Sequence, residues 1–214
     1  APNVVPDYAE VFYYVRDFDV DILEKLWKRL INTAEAAALG TGTKMEYEII
    51  HGNRPVLPNE VAQKVMYDNL VQVGGISYNR SEKKFAKEIY KTLIEPSLDL
   101  NSAKNIQPYQ FTKGKGSTDV GDVSWKTPTA RLRVATWVPG TSAHTWQAVA
   151  AGGMSIGMKG MINASKVLVG TAIDLYENPT TIKEAKTELI ERRGPGFNYY
   201  SMLGDRKPPL DYRK

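Results

Sequence analysis

Residues 114–153 read GKGSTDVGDVSWKTPTARLRVATWVPGTSAHTWQAVAAGG, and the rest of the chain is placed by what this stretch encodes. Its first part, Gly116-Ser117-Thr118-Asp119-Val120-Gly121-Asp122, is a polar turn punctuated by glycine. Arg131 to Val138 then alternates, with Leu132, Val134, Thr136 and Val138 on one face and Arg131, Arg133, Ala135 and Trp137 on the other. That period of two predicts a strand. Pro139-Gly140 ends it, and Ala143-His144-Thr145-Trp146 occupies the loop beyond. A loop after a strand end, ahead of a long helix, is where α/β proteins carry their chemistry.

Working outward, residues 9–16 (Ala-Glu-Val-Phe-Tyr-Tyr-Val-Arg) are β-branched and aromatic and predict another strand. Asp19 is placed to cap a helix whose Ile22, Leu23, Leu26, Trp27, Leu30, Ile31 and Ala34 share one face. Gly40-Thr41-Gly42 closes that helix, and Thr43 to Ile50 predicts a second strand. This strand–helix–strand piece is too small to be a domain, and it implies a partner strand pair upstream. His51 to Pro58 is rich in proline and glycine and is the expected hinge.

Beyond the hinge, Asn59 is expected to cap a helix to about Val73, and Ser81 another to about Ile94. Ser155 to Tyr176 predicts a long apolar helix in which Gly157, Gly160, Ala164 and Gly170 permit close packing. Asn178-Pro179 should stop it, and Thr181-x-x-Glu184 is a capping box for a last helix to Arg193. The tail from Gly194 to Lys214, with its aromatic and proline anchors, is expected to lie along the body.

Composition excludes several classes. The 214 residues, 42% hydrophobic, allow one large domain or two small ones with a real core. The net charge of +4 comes from basic residues scattered among acids, a solvated surface rather than a nucleic-acid stripe. No apolar run reaches the length of a membrane span. The chain has no cysteine, so it has neither disulfides nor thiolate metal sites. Its start, Ala-Pro-Asn-Val-Val-Pro, reads as mid-protein sequence, with any targeting segment outside the visible chain; the expected compartment is the cytoplasm.

Three stretches carry a family likeness: Pro2-Asn3-Val4-Val5-Pro6-Asp7-Tyr8-Ala9-Glu10 with Arg16 after it, Gly116 to Trp125, and His144-Thr145-Trp146. Their wording and order resemble the C-terminal half of the M20 metallopeptidase family, in the aminobenzoyl-glutamate utilisation subgroup of its amidohydrolase branch. The resemblance implies an α/β catalytic domain, present in part, with an inserted α+β ferredoxin-like lid, also present in part. Residues 1–55 would be the second half of the lid and residues 56–214 the C-terminal part of the catalytic domain. It further implies two divalent metal ions, zinc or manganese, and hydrolysis of the amide bond of an N-acyl or N-aroyl amino acid resembling aminobenzoyl-glutamate. A homodimer formed through the lid is implied as well, with no nucleic-acid or membrane partner.

Residue by residue, His144 aligns with the last metal ligand of the family, and Ser117, Thr118 and Asp119 fall where the family lines its substrate cleft. The remaining ligands and the glutamate general base belong to a region upstream. Without the family, His144 reads first as an ordinary loop histidine, and Ser117–Asp119 equally as an ordinary turn. Asn59 is a possible contact for a substrate carboxylate, with helix capping the simpler role. Asp122 reads as structural, and His51 matches no family histidine. Trp125 and Trp146 could stack on an aroyl group or serve as core. A different class of reading is a non-catalytic fragment or dimerisation module lacking a complete metal site. A serine hydrolase is a distant third reading, since Gly116-Ser117 lacks the Gly-x-Ser-x-Gly elbow.

Overall fold

Asp19 turns the chain into its first helix by accepting hydrogen bonds from the backbone of Asp21 at 2.8 Å and Ile22 at 3.2 Å. In the computed structural model, which describes residues 3–114, 116–207 and 210, that helix is α1, Val20–Thr41. Pro2 of the N-terminal motif and residues 208, 209 and 211–214 of the tail lie outside the described residues. α1 ends at Gly42, whose φ of 65° lets its N–H close the last turn. The chain divides into two units.

The first unit comprises Ala1–Val56, Ser117–Asp122 and Asn198–Lys214. The stripe Leu23, Leu26, Trp27, Leu30, Ile31 and Ala34 is half-covered, and no residue of α1 is fully buried. Trp27 meets the Tyr47 ring edge-on at 6.0 Å, so residues 43–50 cover part of that stripe. The tail is tied down by Tyr200, which donates to Glu24 at 2.7 Å, and by Arg206, which bonds Glu48 and the carbonyl of Ile49. Segments 117–122 and 198–207 cluster with the residues before the hinge. Contacts 68 and 77 residues apart, which no local pattern announces, join them.

The second unit comprises Leu57–Gly116 and Val123–Phe197. It holds α2 (Glu60–Val73), α3 (Arg80–Tyr90), the 3-10 turn η1 (Leu100–Lys104), α5 (Trp146–Gly152), α6 (Ser155–Glu177) and α7 (Pro179–Arg193). The short α4, Val120–Ser124, carries the boundary between the units. α2 packs on α6 and α7, and α5 on α6. The core centres on Ala86, Ile89, Val138, Ala151 and Ile156. Gly160 gains its place by close approach: an added Cβ would stand 2.6 Å from the Ala135 carbonyl oxygen.

Two helix starts differ from the sequence reading. Asn79, not Ser81, caps α3, because Glu82 three residues on completes a capping box with Asn79. Ser81 instead donates to Asn79 at 2.8 Å. α7 starts at Pro179, two residues before Thr181, since proline at the first position is preset for a helix. α3 also stops at Tyr90, short of Ile94.

Among the described residues no strand is assigned, so residues 9–16, 43–50 and 131–138 stand without ladder partners. Residues 131–138 still alternate in exposure, with Leu132, Val134, Thr136 and Val138 the more covered set and Arg131, Arg133 and Trp137 exposed. Gln63 brackets the start of this segment, donating to the Arg131 carbonyl at 2.9 Å and accepting from its N–H at 2.8 Å.

Glu82 joins α3 to α6. It is 4% exposed and accepts from Asn79 N–H at 2.7 Å, Ser155 at 2.7 Å and Lys159 at 2.6 Å. Burial alone would raise its pKa; the bonds from Lys159, Asn79 and Ser155 outweigh burial and hold the carboxyl below its ordinary value. Glu82→Ala is expected to cost about 3 kcal/mol in urea unfolding, because it orphans these donors. With the folded pKa depressed, this stability is present above the unfolded pKa and is lost as pH falls through the folded one. The gap between Glu82→Gln and wild type should therefore narrow on acidification below the ordinary carboxylate range. A gap unchanged from neutral to acid pH would show that the charge contributes nothing.

Candidate metal and substrate site

His144 sits in the loop between the 131–138 segment and α5, one residue before Thr145. Thr145 caps α5, its hydroxyl accepting from Ala148 N–H at 3.3 Å and donating to the Ser142 carbonyl at 2.9 Å. The loop is fixed at its start by Val138 and Pro139, both buried. His144 itself is exposed and has a φ of 62°, a left-handed backbone unusual for a residue with a Cβ. Such a conformation costs about 1–3 kcal/mol and concentrates at functional sites. Its imidazole is open to solvent on an anchored loop. Trp146, the next exposed aromatic (60%), opens α5 beside it.

Asn59 is consumed by folding. It is 3% exposed, its side-chain oxygen accepts from Ala62 N–H at 3.0 Å, and its side-chain nitrogen donates to the Ala185 carbonyl at 2.8 Å. The cap role accounts for both ends of the amide, leaving neither for a substrate. Sequence reading missed Glu188 on α7, which accepts from the N–H groups of Glu60 at 2.8 Å and Val61 at 2.9 Å. Burial opposes its charge, but those bonds and Arg192 hold its pKa below the ordinary value. Nothing in the local sequence of α2 points to a cap from 128 residues away.

Ser117, Thr118 and Asp119 belong to the first unit, and His144 and Asn59 to the second. Ser117 and Asp119 are exposed and Thr118 half-covered. The Thr118 hydroxyl accepts from Val120 N–H at 3.3 Å, which starts α4. Asp122 fixes this turn within its unit: it accepts from Arg54 N–H at 3.3 Å and from the Tyr199 hydroxyl at 3.1 Å. Burial and Asp122 together push the Tyr199 pKa up. Arg54 lies over the Tyr200 ring at 4.4 Å. Trp125 is a packing residue, tilted on Phe197 at 4.9 Å, with its carbonyl held by Arg193 at 2.9 Å.

Among the described residues no three histidine or carboxylate side chains gather as a metal site. The exposed, outward-held imidazole of His144 fits one position of a coordination shell whose other ligands would come from elsewhere. Also among the described residues, no helix is long and apolar enough to cross a membrane.

No family model and no solved structure matches the chain. Among curated proteins, it is 33% identical over 213 residues to a subunit of p-aminobenzoyl-glutamate hydrolase in Escherichia coli K12, a match covering 88% of this chain and 44% of that protein. It is 28% identical over 199 residues to the Xaa-Arg dipeptidase of Mus musculus, covering 90% of this chain and 39% of that one. The human Xaa-Arg dipeptidase is 26% identical over 191 residues, covering 88% of this chain and 37% of that protein. The chain thus spans less than half the length of the relatives it matches. These relatives are members of the M20 metallopeptidase and amidohydrolase family, and the chain is similar to them over most of its own length.

Proposed function

We propose that this chain is the C-terminal part of a binuclear-metal amidohydrolase that cleaves the amide bond of N-acyl or N-aroyl amino acids resembling aminobenzoyl-glutamate. The observation that carries this reading is the 33% identity to an aminobenzoyl-glutamate hydrolase chain over 88% of the present one. The strained, outward-held backbone of His144 supports its role as a ligand. A divalent metal, zinc or manganese, supplies Lewis acidity toward an amide carbonyl and makes water a nucleophile at neutral pH. His144 would hold it at one position, with the general base and the other ligands supplied from outside residues 1–214. Ser117, Thr118 and Asp119 offer hydroxyl and carboxylate groups to the substrate, and Trp146 offers a ring face to an aroyl group.

The same reading gives residues 1–55 to a lid and residues 56–214 to an α/β catalytic domain. The outward face of α6 favours it: Met158, Ile162, Leu168, Val169 and Ile173 are each about half exposed. A helix apolar on both faces is a buried helix in the assembled protein, and a sheet is the natural cover. The lid is proposed to pair with a second copy through residues 9–16 or 43–50; a complete protein that sediments as a monomer at every concentration contradicts this.

The test of the activity is hydrolysis by the complete protein of N-(4-aminobenzoyl)-glutamate and of an Xaa-Arg dipeptide, with and without chelator. Cleavage of the first that chelator abolishes supports the proposal. Cleavage of neither substrate with metal restored overturns it and favours a non-catalytic module.

A further inference from the structure

We propose that the outer face of α3 is a docking stripe for an oligocarboxylate, such as a short γ-linked oligo-glutamate extending from the amide to be cleaved; this rests on the amidohydrolase reading above. Arg80, Lys83, Lys84 and Lys87 line one shallow groove. Their spacing puts all four on one side of the helix, and Lys91 at the C-cap continues the row. Only Lys91 of this row makes a salt bridge among the described residues, to Glu88 at 2.9 Å.

The N-terminal end of the row, Arg80 and Lys83, stands where a helix disfavours it. Cations in a first turn face the positive end of the dipole and cost about 0.3–1 kcal/mol each. The acid that could offset them, Glu82, is turned inward to Ser155 and Lys159. The opposite side of α3, with Phe85, Ala86 and Ile89, is fixed in the core, so the cations sit on a rigid backbone. Arg80 and Lys83 thus keep their charge at the helix end that favours an anion, while Lys87 lies in the last turn and Glu88 draws Lys84 and Lys91.

The stripe also starts at the His144 loop. Gln147 donates to the carbonyl of Thr92 at 3.4 Å, immediately after α3, and Gly140 abuts Pro96. From that end the row runs the length of α3, about 16 Å at 1.5 Å per residue. Lysine ammonium groups on flexible stems suit a flexible chain of carboxylates better than a partner of fixed geometry. A net charge of only +4 and the narrowness of the row disfavour duplex nucleic acid.

The test uses the complete protein and the triple variant Lys83→Gln/Lys84→Gln/Lys87→Gln. Its probes are 4-aminobenzoyl conjugates of mono-glutamate and of γ-linked tri-glutamate, with fluorescent tri-glutamate for equilibrium binding. At low salt, kcat/KM for the tri-glutamate conjugate should exceed that for mono-glutamate by about tenfold, the scale of electrostatic steering. The triple variant and high salt should each erase that advantage, with mono-glutamate turnover unchanged. Labelled tri-glutamate should bind wild type more tightly than the variant. Equal binding to both, or duplex DNA displacing the label more strongly than free tri-glutamate does, overturns the stripe. Mono-glutamate cleavage with no tri-glutamate advantage overturns the stripe alone. Stripe-dependent binding without any cleavage keeps the docking role and removes the hydrolase reading.

Discussion

Gly121→Ala is expected to destabilise the first unit by about 3 kcal/mol, the upper range for overpacking, because the obstacle is backbone. A Cβ at this position would stand 1.8 Å from the Arg54 carbonyl oxygen and 2.9 Å from its carbonyl carbon. A flexible side chain could swing away; a peptide group can move only by displacing its neighbours. Two bonds would be strained with it, since the adjacent Asp122 holds Arg54 N–H and the Tyr199 hydroxyl. Gly116→Ala is the control: nothing lies within 4 Å of its Cβ, and its effect should stay within about 0.5 kcal/mol. Thermal melts of the two variants check this. Equal melting temperatures would show that the turn is not packed on residues 54–55. If Ser117–Asp119 meet substrate, Gly121→Ala should also raise KM, because Gly121 seats the turn that presents them.

The helices were legible wherever a local rule had no rival. Asp19 had an apolar stripe after it and Gly42 at its end, and the helix runs between them. Where two residues could serve, the outcome depended on a third. Asn79 and Ser81 are both good caps, and Glu82 decides for Asn79 by closing the box. Pro179 and Thr181 compete likewise, and the preset φ of proline extends the helix outward. Gly160 was readable as a packing glycine, though not that the Ala135 carbonyl would be its neighbour.

The site was legible in a different way. Periodicity gives the faces of residues 131–138 but names no ladder partner, because hydrogen-bond pairing is not written in the alternation of one segment. His144 was singled out by family wording; its left-handed backbone leaves no trace in a sequence. Asn59 looked available as a polar residue after Pro58, and only tertiary contact with Ala185 shows its amide to be spent. Asp122, Glu82 and Glu188 all act across the chain, so no spacing rule reveals them.

His144→Ala in the complete protein should lower amide hydrolysis by at least about 100-fold, the scale on which loss of a metal-site component is felt. Its melting temperature should hold: the side chain is exposed, and the left-handed backbone carries a Cβ in both proteins. His144→Gly should separate the two effects, relieving the strain while still removing the imidazole, and should therefore be the more stable variant with the same loss of turnover. A packing role predicts the reverse, with lower stability and normal turnover per folded molecule.

The most direct measurement is the metal content of the complete protein and its His144→Gly variant, purified together and analysed by inductively coupled plasma mass spectrometry. The account predicts about two divalent ions per chain in wild type. The variant should lose one of them, or hold it at least about tenfold more weakly in a chelator titration. Equal metal content and equal chelator resistance in the two proteins would contradict the assignment of His144 as a ligand.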